Sequence, residues 1–494
     1  MSQAYVPHSS RQPSRRRKKS FFRRYWPLIK LVLLLVSCIV LIVFTIKAFS
    51  GSMKTAQAQG ETSQESLSTE TAEPSETQAA TDTAVAAPPD DQTQALIAQA
   101  DQKAAGYDYQ GAIALLQSCE GYDSSQALTD KIAEYQTADS QLTSYPEMSN
   151  ITHVFFHSLI VDTARAFDGD SREKGYNQYM TTVSEFNKIL QSMYDRGYVL
   201  VSPYDVAYEV TDEQGTHFTY GNIRLPAGKK PFVMSQDDVN YYGYMISGED
   251  GSQDTPIFAK SSGDGFADKI VIGDDGYPTC EYMDANGNVT TGDYDLVPLL
   301  EAFIREHPDF SYHGARAILA FTGYEGVMGY RTKPAYEAAL GTEAYQQEVQ
   351  NAKDVAQCLR DHGWVLASHS YGHIPYGEVS AERVEADSDK WESTVEPIIG
   401  PVDILVYPHG SDIAGVEKYT SDNAKFVALY NDGFRYFYNV DSTFCWNQMG
   451  TDYFRGNRRN LDGYRMSHNP DLLTDLFDVN AIFDPARPLP VPDI

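Results

Sequence analysis

Cysteine is scarce in this chain of 494 residues, which contains only five of them. Their spacings do not resemble those of cysteine-ligated metal sites. The sequence gives no basis for pairing any of them in a disulfide. The cysteines are Cys38, Cys119, Cys280, Cys358 and Cys445.

Basic residues are also few, since 39 Lys and Arg stand against 68 Asp and Glu and the formal net charge is −29. The first 49 residues reverse this balance, because they hold ten basic residues and no acidic one. Residues 50–494 therefore carry all 68 acidic side chains and only 29 basic ones. Such an acidic surface repels nucleic acid and anionic lipid. We expect no nucleic-acid partner.

A single long apolar run, LVLLLVSCIVLIVFTI, occupies Leu31–Ile46. About 20 predominantly apolar residues span a bilayer, so residues 25–49 are predicted to form a transmembrane anchor. The positive-inside rule then places the basic residues 1–24 in the cytoplasm and the rest of the chain outside the cell. A cleaved signal peptide is the alternative, because Ala56–Ala58 has the small-x-small pattern of a cleavage site.

Two further segments precede the main part of the chain. Residues 50–91 are rich in Ser, Thr, Glu, Gln and Ala, so we predict a disordered, flexible linker with a reach of roughly 35 Å. Residues 92–144 have helical periodicity, and AGYDYQGAIALL resembles half of a tetratricopeptide unit without a second copy. We predict a small helical hairpin there, which acts as a spacer or packing element rather than as a peptide receptor.

From residue 145 to residue 494 short apolar runs alternate with amphipathic helices, one of which opens on a capping box at Thr182 and Glu185. This alternation predicts an α/β fold with a parallel sheet or a (β/α) barrel. In such barrels the carboxyl ends of the strands meet at the face where the chemistry occurs. Residues 246–293 are predicted to be an inserted hairpin region at that face. The predicted strands are HVFFHS (153–158), PFVMSQDD (231–238), AILAFTG (317–323), WVLASH (364–369), DILVYPHG (403–410), FRYFYNVD (434–441) and YRMSH (464–468).

Side chains that suit a metal ion follow two of these runs. SQDDV offers the adjacent carboxylates Asp237 and Asp238, and SHSYGH offers His369 and His373. If a helix begins near residue 370, this spacing brings both imidazoles within reach of one point. Two imidazoles and one carboxylate are a common ligand set for a catalytic divalent metal. The other carboxylate could then accept a proton from water.

The order of motifs between about residues 145 and 470 resembles the polysaccharide deacetylase family, carbohydrate esterase family 4, with its NodB homology domain. The family's T-F-D-D-G motif resembles MSQDDV, and its H-[ST]-x-x-H motif is matched by HSYGH. Its R-x-P-x-G motif resembles VYPHG, its Leu-x-His motif resembles MSH, and its start is similar to FFHSL. The resemblance implies a distorted (β/α) barrel that removes N-acetyl or O-acetyl groups from a polysaccharide such as peptidoglycan or poly-N-acetylglucosamine.

The resemblance also implies the catalytic roles. Asp237 corresponds to the general base of the family, and His468 corresponds to the general acid that protonates the leaving amine. Asp238, His369 and His373 correspond to the ligands of a divalent metal, usually Zn²⁺.

Four more residues are candidates for binding the polysaccharide. The resemblance puts Tyr407 and Pro408 in the part of the family site that supplies the oxyanion donor and a pocket wall. Trp446 is a candidate platform for a sugar ring, with a packing role as the alternative. His157, at a predicted strand end, lines the cleft or is a structural histidine.

Two positions depart from the family pattern. Val239 replaces a glycine, and Val406 stands where many members have an arginine that braces the base, although deacetylases of poly-N-acetylglucosamine include a form without it. Without a cationic neighbour Asp237 is expected to have a higher pKa, and activity is expected to fall off at a higher pH. A catalytically silent glycan-binding protein of the same fold is therefore the alternative function. A glycosidase fits poorly, because its two carboxyl groups flank the bond about 5 to 9 Å apart.

Overall fold

The computed structural model describes residues 91–249, 254–441 and 445–494. The chain divides into two compact units, residues 1–84 and 85–494, and every described residue belongs to the second. The predicted basic tail, membrane anchor and linker lie outside the described residues, except for Asp91 at the end of the linker.

The expected membrane location requires a correction. Within the described ranges, no helix combines the length and the apolar character needed to cross a membrane. The apolar run that suggested a single-pass protein falls in residues 25–49, which are not described.

The second unit is built around a closed barrel of parallel strands, which confirms the predicted (β/α) barrel. Seven strands follow one another in the order β11-β12-β13-β14-β16-β2-β7, and β7 pairs again with β11. β3 pairs with the first half of β7 and β11 with its second half. The strands are β1 Thr143–Ser144, β2 Thr152–Phe156, β3 Tyr198–Leu200, β4 Ala207–Asp212, β5 Gly215–Tyr220, β6 Arg224–Leu225, β7 Lys230–Gln236, β8 Lys269–Ile272, β9 Pro278–Met283, β10 Val289–Gly292, β11 Ile318–Phe321, β12 Val365–Ser368, β13 Ile404–Val406, β14 Tyr436–Val440, β15 Asn447–Met449 and β16 Phe454–Asn460.

Helices surround the barrel, and the predicted capping box opens one of them. The Thr182 hydroxyl accepts a hydrogen bond from the Glu185 N–H at 3.1 Å, and the Glu185 carboxylate accepts one from the Thr182 N–H at 2.9 Å. The helices are Asp91–Ala105, Tyr109–Gln117, Gln126–Ser140, Thr163–Ala166, Glu173–Tyr179, Val183–Asp195, Pro203–Val206, Gly243–Ser247, Leu296–Glu306, Glu337–Leu340, Thr342–Asp361, Ala381–Thr394, Glu396–Ile399, Ala424–Asn431, Gly463–His468 and Val479–Ile482.

The segment predicted as a helical hairpin contains three helices, Asp91–Ala105, Tyr109–Gln117 and Gln126–Ser140. Small and branched side chains such as Ala100 and Leu116 form their shared core. The Tyr107 hydroxyl donates to the Asp309 carbonyl at 3.0 Å, so these helices are also bonded to the barrel part of the unit.

Residues 246–293, predicted as an inserted hairpin region, contain three strands instead of the two of a hairpin. β8, β9 and β10 form a three-stranded antiparallel sheet in which β9 is central. Ile270 and Cys280 of this sheet are fully buried in the main core.

β16 is the barrel strand that the sequence did not predict. Its sequence, FRGNRRN, has the charged residues of a surface segment, yet it lies between β14 and β2 and closes the barrel. Arg455 and Arg458 are fully buried, and each is paired with a carboxylate, of Asp412 and Asp237 respectively. Ion pairing rather than apolar character therefore allows this strand to be buried.

The predicted last strand, YRMSH, is instead part of the helix Gly463–His468. Asp462 caps this helix, because its carboxylate accepts a hydrogen bond from the Arg465 N–H at 2.7 Å. The cap explains why the chain turns into a helix directly after β16.

Candidate functional site

A cleft of about 670 Å³ opens where the barrel strands end. His157 follows β2, Asp237 and Asp238 follow β7, His369 follows β12, and Asp462 follows β16, and all five line the cleft. The carboxyl ends of parallel strands meet at one face of a barrel, so residues distant in sequence share this cleft.

Asp237 is buried and paired with Arg458 of β16. The guanidinium donates to both carboxylate oxygens, with Nη1 2.6 Å from Oδ1 and Nη2 2.9 Å from Oδ2. Nη1 also donates to the Ser235 hydroxyl at 3.1 Å. This two-point geometry orients the carboxylate more strictly than a single bond would.

The pair corrects the expectation about the position of Val406. Burial by itself raises the pKa of Asp237, but the Arg458 guanidinium and then His369 outweigh burial and hold the pKa well below its usual range. Asp237 therefore has a cationic neighbour, supplied by β16 instead of by the last residue of β13, Val406. The lowered pKa favours the ionised form of its carboxylate.

Asp238 adopts a left-handed backbone conformation, with φ of 56°. Its Oδ1 accepts a hydrogen bond from the Tyr242 hydroxyl at 2.6 Å, and that hydroxyl lies 2.8 Å from the hydroxyl of Thr322. Burial raises the pKa of Asp238, but the nearby histidines, His373 first, lower it more, and the net pKa is below its usual value.

His369 and His373 lie on a turn, not at the start of a helix as the spacing had indicated. Ser370 and His373 have positive φ values of 59° and 51°, which fold the segment back and bring the two rings to a centroid distance of 5.0 Å. Asp387 holds this turn, because its carboxylate accepts hydrogen bonds from the N–H of Tyr371 at 2.7 Å and of Gly372 at 3.1 Å.

The protonation of His369 suits a metal ligand. Its Nδ1 lies 2.9 Å from the Val406 carbonyl oxygen, which can only accept, so Nδ1 carries the hydrogen and Nε2 is the free ligand atom. Burial lowers the pKa of His369 to about 4, which keeps the ring neutral near pH 7.

Left-handed residues other than glycine concentrate at this site. Eight of them occur in the described part of the chain, and five belong to the turns that follow β7, β12 and β13: Asp238, Tyr241, Ser370, His373 and His409. Such conformations are costly for residues with a Cβ and are typical of functional sites.

Asp238, His369 and His373 fit a divalent metal. Each offers one ligand atom, and the three atoms lie within 4.8 Å of one another. The Nε2 of His373 is 3.7 Å from Oδ2 of Asp238. Ligand bonds of about 2.0 to 2.2 Å in a tetrahedral site separate the ligand atoms by about 3.4 Å, so a small contraction would complete the site.

His157 lines the cleft together with both aspartates. Its Nδ1 lies 3.1 Å from the Tyr179 carbonyl oxygen, so Nδ1 carries a hydrogen and Nε2 is the nitrogen that can exchange a proton. A protonated His157 would lower the pKa of Asp237 and of Asp238.

Tyr407 also lines the cleft, but the polar groups of this buried residue are engaged elsewhere. Its N–H donates to the Tyr438 carbonyl at 2.9 Å, and its hydroxyl lies 2.9 Å from that of Tyr419. His409, two residues further, lines the cleft in the left-handed conformation with φ of 57°.

Three residues predicted for the site are not among the described residues that line the cleft: Pro408, Trp446 and His468. Pro408 is buried in its turn. Trp446 lies against Arg455, whose guanidinium is 5.3 Å from a Trp446 ring centroid. His468 faces the chain end, with Nε2 2.9 Å from the Val491 carbonyl oxygen and Nδ1 3.5 Å from the Asp493 carboxylate.

Arg458, Asp462 and His409 were not among the residues predicted for the site. Arg458 and Asp462 lie in or just after a strand that sequence patterning did not identify. The signal for His409 was its place in VYPHG, where a residue between proline and glycine is held in a tight turn.

Comparison with protein-family models finds no match for this sequence, and comparison with curated proteins finds none either. Among solved structures, the fold is similar to that of the Streptococcus pyogenes deacetylase PplD in complex with acetate. The identity is 12%, the TM-score is 0.33, and the match covers 66% of this chain and 98% of that chain. The similarity is too distant to transfer a function or a residue role.

Proposed function

We propose that this protein hydrolyses N-acetyl groups on the sugars of a polysaccharide, with a divalent metal bound by Asp238, His369 and His373. The observation that carries the proposal is that these three side chains converge in one cleft beside an ionised Asp237. Zinc is the first candidate, since imidazole and carboxylate are among its common ligands. An O-acetyl group would react by the same steps. The barrel would then be of the polysaccharide deacetylase type that the motifs resemble.

Asp237 acts as the general base. Its carboxylate accepts a proton from the water that attacks the acetyl carbon, and the two bonds from Arg458 keep it aimed at that water. A divalent metal held by Asp238, His369 and His373 would supply positive charge that polarises the acetyl carbonyl and makes water more acidic.

His157 acts as the proton donor. Collapse of the tetrahedral intermediate breaks the C–N bond, and the leaving nitrogen must gain a proton to depart as an amine. In the imidazolium form of His157, Nε2 carries the proton that is transferred, because the Nδ1 hydrogen is engaged with the Tyr179 carbonyl. The proton that Asp237 took from water then restores this form. The products are acetate and a sugar amine.

The acetyl oxygen becomes an oxyanion and needs a hydrogen-bond donor. The N–H of Tyr407 is already bonded to Tyr438. His409 lies two residues further in the same turn and lines the cleft. We assign the donor role to the His409 N–H, in the turn where the resemblance expected it.

Loss of one ligand tests the metal site. We expect His373→Ala to lower metal affinity by more than the roughly 10- to 100-fold that is typical when a partner of a ligand is lost. Metal content after dialysis against a weak chelator measures this effect. His217→Ala, on β5, is the control and should retain its metal. Unchanged metal content in His373→Ala would refute the assignment of the ligands.

A paired substitution tests the proton donor. We expect His157→Gln to lower kcat for acetate release by about 10²-fold or more, as is typical for general acids. His468→Gln should leave kcat almost unchanged, because His468 faces Val491 and Asp493 and not the cleft. If folded, metal-loaded His468→Gln lost kcat and His157→Gln did not, His468 would be the general acid, as the MSH motif implied.

A further inference from the structure

A second pocket, of about 440 Å³, shares a wall with the catalytic cleft. Its volume lies within the roughly 300 to 1,000 Å³ that is typical of ligand sites. His373 lines both the cleft and this pocket. A polymer bound in the cleft therefore has this pocket beside it for a neighbouring sugar.

Tyrosine rings form one wall of the second pocket. Tyr324 stacks on Tyr242 at a centroid distance of 4.9 Å, and Tyr242 stacks on Tyr244 at 5.9 Å. The Tyr242 hydroxyl donates to Asp238, so this stack is tied to a candidate metal ligand. Aromatic faces of this kind suit the apolar faces of sugar rings.

Besides Tyr324, the pocket is lined by Tyr371, which packs closely against Gly323. A Cβ at Gly323 would lie 2.4 Å from the ring carbon Cδ2 of Tyr371, so glycine is needed for this approach. The wall is therefore preformed, and little ordering is required when a ligand binds.

Two basic side chains complete the pocket. Arg383 and Lys390 are seven residues apart on the helix Ala381–Thr394, which puts them on one face of it. The Lys390 ammonium lies 4.0 Å from the ring centroid of Tyr371, which holds it at the pocket. This helix has five acidic residues and two basic ones, and both basic residues line the pocket.

The lining of the pocket also contains one acidic residue, Asp387, whose carboxylate is hydrogen-bonded within the protein. Asp387 is buried, and besides the two N–H groups of the histidine turn it accepts a hydrogen bond from the Tyr376 hydroxyl at 3.1 Å. Its carboxylate is thus engaged with the protein, whereas Arg383 and Lys390 are exposed at the pocket.

We infer that this pocket is a subsite for the sugar next to the reacting one, and that it selects a sugar with an anionic substituent, a carboxylate or a phosphate. The inference rests on the proposed deacetylation and specifies its substrate as an anionic polysaccharide. A neutral sugar would form no ion pair with Arg383 or Lys390. A neighbouring sugar that has already lost its acetyl group would present an amine, which they repel.

The test compares oligosaccharides that differ in one group. The full-length, metal-loaded protein is given oligomers of alternating N-acetylglucosamine and N-acetylmuramic acid, and the same oligomers after the carboxylate has been reduced to an alcohol. A neutral N-acetylglucosamine oligomer and a 6-phosphorylated one are the other arms. We expect KM to be about two- to fivefold lower for the carboxylated than for the reduced oligomer, the scale of an exposed ion pair, and the difference to shrink with added salt.

Variants assign this preference to the pocket. Lys390→Ala and Arg383→Ala should each reduce it, and Lys390→Glu should reverse it. Lys353→Ala, an exposed lysine on the helix Thr342–Asp361, is the control and should keep the wild-type ratio. A preference for the phosphorylated oligomer alone would identify phosphate as the anion.

Equal KM values in both comparisons, carboxylated with reduced and phosphorylated with neutral oligomer, would overturn the inference while leaving the proposed function intact. A preference that survives in Lys390→Glu would overturn it as well. Failure to release acetate from any oligomer, with metal bound, would instead refute the proposed function.

Discussion

Asp237→Asn is expected to lower kcat for acetate release by roughly 10²-fold while metal content stays at the wild-type level. General bases typically contribute about 10²- to 10⁴-fold. The lower end is expected here, because Arg458 keeps the carboxylate ionised but also lowers its pKa and hence its basicity. Asparagine has nearly the same shape but cannot accept the proton.

The measurement is acetate release at saturating polysaccharide, with bound metal counted in each preparation. Asp412→Asn is a matched control, because Asp412 forms a comparable buried pair with Arg455, 3.1 Å apart, and does not line the cleft among the described residues. It should share any loss of stability but keep its kcat. Loss of metal from Asp237→Asn would show that the roles of Asp237 and Asp238 are exchanged. A wild-type protein that holds metal and releases no acetate would favour a glycan-binding protein.

The barrel could be predicted from the sequence because most of its strands are apolar and each is followed by polar residues. Runs such as HVFFHS and AILAFTG match β2 and β11 closely. The convergence of Asp238, His369 and His373 could also be predicted, since Asp238 and His369 follow barrel strands and the barrel brings strand ends together.

The shape of the histidine turn could not be predicted in the same way. A spacing of four residues favours a helix in isolation. Asp387, which lies in the next helix, binds the N–H groups of Tyr371 and Gly372 and stabilises a turn instead. The two histidines converge for a tertiary reason that local periodicity does not contain.

β16 shows the clearest limit of pattern reasoning. A strand that reads FRGNRRN is buried only if its arginines meet carboxylates, and the carboxylates that pair with its two fully buried arginines lie far away in the sequence. Arg458 pairs with Asp237, 221 positions away, and Arg455 pairs with Asp412, 43 positions away. No periodicity in a single sequence reports such pairs, so the partner of the general base was sought at Val406 instead.

Arg458→Met is expected to destabilise the fold by about 3 to 5 kcal/mol, because it leaves the Asp237 carboxylate buried without its counter-charge. Arg458 is fully buried, and its loss removes both the counter-charge of Asp237 and two hydrogen bonds to the Asp237 carboxylate. The free energy of unfolding in urea measures the loss. Arg458→Lys keeps the charge but not the two-point geometry, so it should lose less stability and still misalign the base.

The double variant Asp237→Asn/Arg458→Met isolates the interaction. Removing both partners eliminates the unpaired charge, so the double variant should be more stable than Arg458→Met alone. Arg455→Met, in the same strand and also fully buried, provides the comparison for catalysis. Arg455→Met should lose about as much stability as Arg458→Met, because it leaves the Asp412 carboxylate unpaired. The folded, metal-loaded fraction of Arg455→Met should keep the wild-type kcat. The folded, metal-loaded fraction of Arg458→Lys should have a lower kcat. Equal kcat values for these two variants would mean that Arg458 stabilises the barrel without orienting Asp237 for catalysis.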